Sequence, residues 1–246
     1  MIKSELGIQQ SSYFCSISET KLYIVGTPIG NMGDITYRAI DTFKKCDAIL
    51  AEDTRQSKKI LDHYGIEKKL IPYHQHNEHR NLGSIVEQLK NGAVYAMCSD
   101  AGMPGISDPG FLLIRECHRE NISVEIIPGP TAAITALVGS ALPSDRFVFE
   151  GFLPHKKGKQ SKILSFKDEE RTVICYESPH RLLKSLAMIK DLLGEDRLVS
   201  VGRELTKKFE EHKTGTVVEL IEYFETGNVK GEIVLLIAGC NYAKED

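Results

Sequence analysis

The sequence predicts an α/β protein built as two domains, and three observations carry that expectation. Its 246 residues amount to between one and two domains of about 150 residues. From Lys21 onward, short β-rich runs alternate with segments of helical periodicity, the pattern of mostly parallel sheets covered by helices. The segment Ser140-Ala-Leu-Pro-Ser-Asp145 interrupts that alternation, and the strand chemistry changes after it. Domains at 21–142 and 143–246 follow. A composition of 41% hydrophobic and 26% charged residues belongs to an ordinary soluble globular chain and excludes collagen-like, disordered and disulfide-dense classes.

Residues 1–20 lack a basic stretch followed by an apolar one and so do not read as a signal peptide. A loosely ordered extension is expected there. Strands are expected at 22–26, 48–51, 70–73, 94–98 and 123–127, where short apolar runs lie between polar, Gly- and Pro-containing segments. Between them, helices at 37–45, 56–64, 82–90, 109–120 and 130–140 follow helical spacing, with Gly65 and Gly92 as stop signals. These β-α units make one doubly wound domain. In the second half, strands are expected at 147–150, 172–176, 198–201 and 233–238, with pairing at 210–215, and helices at 159–167, 179–193 and 217–225. Thr216 and Glu219 stand in capping-box spacing before the last helix. The longest purely apolar run, 233–238, has six residues, far below the ~20 of a membrane-spanning helix, so no membrane partner is expected.

Thirty-one basic against 34 acidic side chains leave a formal charge of −3, which offers no global reason to meet nucleic acid. A local basic footprint exists: His155, Lys156, Lys157, Lys159, Lys162 and Lys167 lie in a stretch without acids. It reads either as a solvated helix face or as an anion-facing patch. The six Cys (15, 46, 98, 117, 175, 240) form no C-x-x-C pair and read as buried thiols of a reducing cytosol, which makes a cytoplasmic protein the expectation.

Ligands of open α/β sheets bind outside the carboxyl ends of strands, so the segments after strands are the informative ones. Gly26-Thr-Pro-Ile-Gly-Asn-Met-Gly-Asp34 has neither a P-loop nor a dinucleotide fingerprint and is a turn or a backbone platform for a ligand. In Ala51-Glu-Asp-Thr-Arg55, Asp53 or Thr54 can cap a helix, leaving Arg55 in its first turn against the helix dipole. Tyr176-Glu-Ser-Pro-His-Arg181 does the same with Ser178 as cap, Pro179 at the first helical position, and His180 and Arg181 behind it. Arginine together with free backbone N–H groups makes an anion site.

Ser-Asp-x-Gly occurs twice, eight residues apart, in Ser99-Asp-Ala-Gly-Met-Pro-Gly-Ile-Ser-Asp-Pro-Gly110. Asp108 in its second copy can cap the next helix with Pro109 behind it. Asp100 in the first has no such structural use and can accept hydrogen bonds from ribose hydroxyls or an ammonium group. In Pro128-Gly-Pro-Thr-Ala-Ala133, Thr131 is either a helix cap or a ligand contact. The cluster His74, His76 and His79 resembles metal spacing but has no supporting Cys or carboxylate, so substrate contact or plain exposure stands beside it and no metal is expected.

Taken together, these segments resemble the bacterial small-subunit (16S) ribosomal RNA cytidine 2′-O-methyltransferases of the RsmI type. Asp53-Thr-Arg55, His76-Asn-Glu78, Gly151-Phe-Leu-Pro154, Gly202-Arg-Glu-Leu-Thr-Lys207 and Gly231-Glu-Ile233 add to the match, which runs from Lys21 to about Gly239. The resemblance implies two α/β domains of the tetrapyrrole methylase-like type with a cofactor cleft between them, S-adenosylmethionine as methyl donor, and a homodimer. It assigns the cofactor to Ser99, Asp100, Ala101, Gly102, Met103, Pro104, Ile106, Ser107, Thr131 and Ala132, with Tyr176 and Ala238 from the second domain. Contact with RNA, within the assembled small subunit, falls to Arg55, His76, Lys156, Lys157, Lys159 and Arg181.

Methyl transfer to a ribose hydroxyl is chiefly a matter of alignment, with a base to take the proton. Glu177 and His180 are the leading candidates for that base, with Glu52 and Asp100 behind them. Three rival readings stand against this one. C-methylation of a tetrapyrrole keeps the fold and changes the substrate. A dinucleotide-dependent oxidoreductase would use the turn at 26–33 and the acid at Glu52 or Asp53, without the usual glycine fingerprint. A non-catalytic RNA-binding module leaves the repeated Ser-Asp-x-Gly without a purpose.

Overall fold

The computed structural model describes residues 20–155, 157–227 and 229–243. The expected N-terminal extension, but for Thr20, lies outside the described residues, as do Cys15 and Lys156.

The first sheet contains β1 (Leu22–Val25), β2 (Ala48–Ala51), β3 (Lys69–Pro72), β4 (Tyr95–Cys98) and β5 (Val124–Ile127), all parallel, in the order β3-β2-β4-β1-β5. Strands β2 and β4 are buried on every residue, which explains why they read as unbroken apolar runs rather than alternating ones. Helices α1 (Tyr37–Lys45), α2 (Thr54–His63), α3 (Glu78–Lys90) and α4 (Phe111–Arg119) connect them. Two begin at side-chain caps: the Thr36 hydroxyl accepts from Ala39 N at the start of α1, and the Asp53 carboxylate accepts from Arg55 N at the start of α2. The chain leaves β1 toward β2 on one side and leaves β4 toward β5 on the other. These two connections run in opposite directions, each passing over the other's strand, and their loops meet at the carboxyl ends of β1 and β4, where ligands of open α/β sheets bind.

The second sheet departs from the parallel pattern. Its strands β6 (Phe147–Phe152), β7 (Thr172–Glu177), β8 (Leu198–Arg203), β9 (Glu211–Thr216) and β10 (Ile233–Ile237) are ordered β6-β7-β10-β8-β9. Only β6 and β7 are parallel; β10 runs antiparallel to both neighbours, and β9 is antiparallel to β8. One face packs on α6 (Lys159–Leu164), α7 (Leu182–Leu193) and α8 (Val217–Glu225) through Ile163, Leu186 and Leu220. The Thr216–Glu219 capping box is present. The other face is covered by α5 (Ala132–Gly139), which its sequence position grouped with the first unit. Gly202 permits that contact, because a Cβ there would lie 3.2 Å from Ala136 Cβ.

Helix α7 starts later than its Pro179 signal suggested, since Pro179–Arg181 form a 3₁₀ turn first. Cys46, Cys98, Cys117 and Cys175 are buried thiols, whereas Cys240 is exposed.

Arg197 closes the far end of the second sheet. Its buried guanidinium donates to the carbonyls of Ala238 at 3.0 Å, Lys167 at 2.9 Å and Phe166 at 3.3 Å. Arg197→Met therefore removes the donors from three backbone acceptors, and we expect it to cost about 2–4 kcal/mol in urea unfolding with the m-value unchanged.

Candidate active site

The crevice between β1 and β4 is where the polar loops converge. Thr27 and Gly102 exchange backbone hydrogen bonds, Thr27 N to Gly102 O at 2.9 Å and Gly102 N to Thr27 O at 3.0 Å, so the loops after β1 and β4 are locked together. The Thr27 hydroxyl adds a bond to Ser99 O at 3.3 Å. The loop after β5 enters the same contact: a Cβ on Gly26 would sit 2.8 Å from Gly129 Cα and 2.6 Å from Met103 Sδ. Only paired glycines allow three backbones to approach so closely. Ser107 holds a left-handed φ of 62°, a conformation costly for a side chain and typical of functional sites.

Above this floor lies a cleft of about 410 Å³, within the roughly 300–1,000 Å³ usual for small-molecule and cofactor sites. Of the expected cofactor residues, Asp100, Ala101, Gly102, Met103, Ile106, Ser107, Thr131, Ala132 and Tyr176 all line it. Thr131 stands at the N-cap position of α5 but its side chain makes no capping bond, so its hydroxyl is not needed by the helix. The opposite wall is aromatic. Tyr176 packs edge-on against Phe149 at 5.2 Å and Phe152 at 5.3 Å, and Phe152 is 59% exposed.

Three expected positions do not line the cleft. Ser99 is buried beneath the loop and supports it through its carbonyl. Pro104 faces a neighbouring groove. Ala238 is at the wrong end of its strand: because β10 runs antiparallel to β7 and β8, its beginning, Ile233 and Val234, reaches the cleft together with Gly231 and Glu232. The rule that ligands meet carboxyl ends of strands holds for the parallel sheet and reverses for this strand.

The cleft is acidic. Glu52, Asp100, Asp108, Glu177 and Glu232 line it, with no Lys, Arg or His among its lining residues. Asp108 is not the helix cap that its position suggested, since α4 begins behind Gly110, whose φ is 136° and which makes no side-chain cap bond. The chain turns before Asp108 can reach the helix, and its carboxyl enters the cleft instead. Burial, with the Glu52 charge behind it, pushes this carboxyl up to about 7 against a hydrogen bond from Ser99. Burial also raises Glu52 and Asp100. Asp100 is already engaged, accepting from Asp53 N at 2.9 Å.

Glu177 is removed from the candidate bases. Its Oε2 accepts from Lys159 Nζ at 2.7 Å and Ser185 Oγ at 2.5 Å. Its Oε1 accepts from Arg181 at 2.6 Å and Ser178 N at 2.8 Å. Burial raises its pKa, but the bonds from Lys159, Ser185 and Ser178 outweigh burial and hold the carboxyl below its ordinary value. A carboxylate with four donors takes no further proton at neutral pH.

The same cage corrects two RNA expectations. Lys159 is 3% exposed and lies inside the core of the second sheet, so it belongs to no surface patch. Arg181 pairs with Glu177 and donates to Leu153 O at 3.3 Å, so its guanidinium balances an internal charge. Arg55 is exposed and paired to Asp53 at 2.6 Å. His76, Lys157 and His180 are exposed and do not line the cleft. Among the described residues, no group of three His, Cys, Asp or Glu could hold a metal ion.

Residues 21–221 match the family model described as Tetrapyrrole (Corrin/Porphyrin) Methylases. The chain is 48% identical over 221 residues to the "Ribosomal RNA small subunit methyltransferase I" of Haemophilus influenzae, covering 89% of this chain and 78% of that protein. It is 46% identical to the protein of the same name from Thermotoga maritima, covering 89% and 98%. Among solved structures, the methyltransferase CobJ aligns with a TM-score of 0.68 at 15% identity over 92% of this chain and 97% of that one. The uroporphyrin-III-C-methyltransferase of Thermus thermophilus aligns at 0.61 and 17%, over 89% and 94%. At these identities the structural likeness speaks for the fold.

The Glu177 cage generates a test. Lys159→Met leaves the carboxylate buried beside one remaining cation and is expected to cost about 3–5 kcal/mol, whereas adding Glu177→Gln to it restores part of that loss. Denaturant melts of the two single variants and the double variant would show additive losses if the pair were not coupled.

Proposed function

The chain belongs to the ribosomal RNA small subunit methyltransferase I family of the tetrapyrrole methylases, and from this we propose that it methylates the 2′-hydroxyl of a cytidine ribose in small-subunit ribosomal RNA, using S-adenosylmethionine. The observation that carries the reading is the acid-lined cleft at the crevice between β1 and β4. When bound, S-adenosylmethionine supplies an electrophilic methyl group on a sulfonium centre. Its two positive charges suit the carboxylates of Glu52, Asp100 and Asp108, and the Thr131 hydroxyl, which caps no helix, is open to its polar parts. The exposed ring of Phe152 offers a face for a planar base taken out of its stack.

Within this reading Asp108 takes the proton from the ribose hydroxyl. It lines the cleft, and burial pushes its carboxyl up to about 7, where a base works best. His180, exposed and outside the lining, is less well placed. Exposed Ile126 and Phe147 on the edge strands β5 and β6, with Ile134 and Val138 on α5, support a second copy as partner. The near-neutral chain favours an assembled subunit, which carries shape as well as charge, over free RNA. A cytoplasmic enzyme follows from that substrate, and no helix among the described residues is long and apolar enough to cross a membrane.

Transfer of labelled methyl from S-adenosylmethionine to small ribosomal subunits, with mapping of ribose 2′-O-methyl positions, should place the label on a cytidine ribose. Label on uroporphyrinogen and none on RNA would overturn the reading. The rate should rise with pH through about 7 as Asp108 becomes a carboxylate. Asp108→Asn should lower kcat by about 10²- to 10⁴-fold and flatten that limb of the profile.

A further inference from the structure

The acidic cleft leaves the phosphates of an RNA substrate without a grip. Its lining repels a ribose-phosphate chain, and three cations that sequence position nominated for phosphate are committed elsewhere: Arg55 to Asp53, and Lys159 and Arg181 to Glu177. A second concavity of about 590 Å³ adjoins the cleft through Ile106, which lines both. Its wall is one face of α4, where Phe111, Ile114, Arg115 and His118 recur at helical spacing and Arg119 completes the row. No carboxylate lines it. Phe111 is 62% exposed, and the Arg115 guanidinium lies 5.3 Å from its ring centroid. Among the described residues Arg115 has no acidic partner, whereas Arg119 shares its charge with Glu116 at 3.3 Å.

We propose that this groove binds the single-stranded RNA segment adjoining the nucleotide whose ribose enters the cleft. One base stacks on Phe111, and the flanking phosphates meet Arg115, His118 and Arg119. An open aromatic face beside a guanidinium is the arrangement that single strands use, because every base has a π-face and every linkage a negative charge. Charge complementarity, from a groove lined by Arg115, His118 and Arg119 and no carboxylate, and continuity with the cleft through Ile106 favour RNA over a second copy of this chain. The inference rests on the RNA reading above and adds to it where the strand runs.

The test uses the full chain, saturating S-adenosylmethionine and small ribosomal subunits. Arg115→Ala and Phe111→Ala should each raise KM for subunits about tenfold, while cofactor affinity measured by calorimetry stays put. Phe111→Tyr should restore most of the loss. Arg115→Ala should also make the salt dependence of log(kcat/KM) shallower by about one, and Phe111→Ala should not. An unchanged KM and salt slope overturns the proposal. So does conversion of a dimer to monomers by these variants in sedimentation, which would give the groove to a second copy. If the wild type methylates no subunit, the function reading has failed. The groove is then judged separately by anisotropy of a labelled single-stranded RNA at low salt, where Arg115→Ala must weaken binding for the proposal to stand.

Discussion

The site depends on a contact that only glycine permits. At the carboxyl end of the first sheet, Gly26 and Gly129 stand so close that a Cβ on either would lie within 2.9 Å of the other's backbone. Thr27 and Gly102 then bond across the same point. Three loops from three strands are thereby fixed against one another before any ligand arrives, and the segment from Asp100 to Asp108 has a single place to go. It rises over the junction and reaches the second sheet, where Gly151, at φ 66°, leaves room for Ser107 Oγ at 3.1 Å from where a Cβ would be. A left-handed Ser107 is tolerated because its surroundings on both sheets leave it no alternative.

Charge is sorted around this junction with little overlap. Carboxylates face the cleft, where burial raises Glu52, Asp100 and Asp108 together, so their ionised forms are favoured by a cation beside them. The cations nearest by sequence are held away from it. Glu177 draws Lys159 and Arg181 into a cage, and bonds of 2.5–2.8 Å satisfy a charge that would otherwise be prohibitive to bury. That cage ties α6 and α7 to the end of β7 and so sets the rim at Ser178 and Pro179. Glu177 thus shapes the cleft without being available for its chemistry.

Much of this was legible in the sequence, and the failures share a cause. Strand and helix positions agree with local pattern to within a few residues, with α1 and α8 matching at both ends, because periodicity and caps are local signals. Eight of the nine expected cofactor positions that line the cleft came together because one loop and one helix start carry them, and the ninth, Tyr176, comes from β7. Ala238 failed because strand direction is a property of the sheet, and nothing in Ile233–Ile237 announces that β10 runs against its neighbours. Asp108 failed because an Asp-Pro before a helix reads as a cap, and only the φ of 136° at Gly110 shows the chain turning first. Lys159 and Glu177 are 18 residues apart, and a basic run in sequence does not tell which lysine points inward. The α4 row at 111, 114, 115 and 118 follows helical spacing, but spacing alone does not distinguish an exposed aromatic such as Phe111 from a core one.

The second sheet closes the cleft through strain rather than through a hinge. Between β8 and β9, Glu204 and Thr206 both hold positive φ, at 50° and 65°, which places Leu205 in the cleft. Lys207 binds Glu204 at 2.9 Å and Glu232 at 3.0 Å, tying that loop to the start of β10. The same lysine lies against Gly30 of the first half, where a Cβ would be 2.5 Å from its Cγ. A segment held by strained backbone, two carboxylates and a glycine contact has little freedom to open and close as a lid. Discrimination must then come from what can be presented to a preformed cleft. On the function proposed above, a ribose with its neighbouring phosphates outside meets that condition if the strand is already single and already bent, which a folded ribosomal subunit can provide and a free, stacked RNA provides less often.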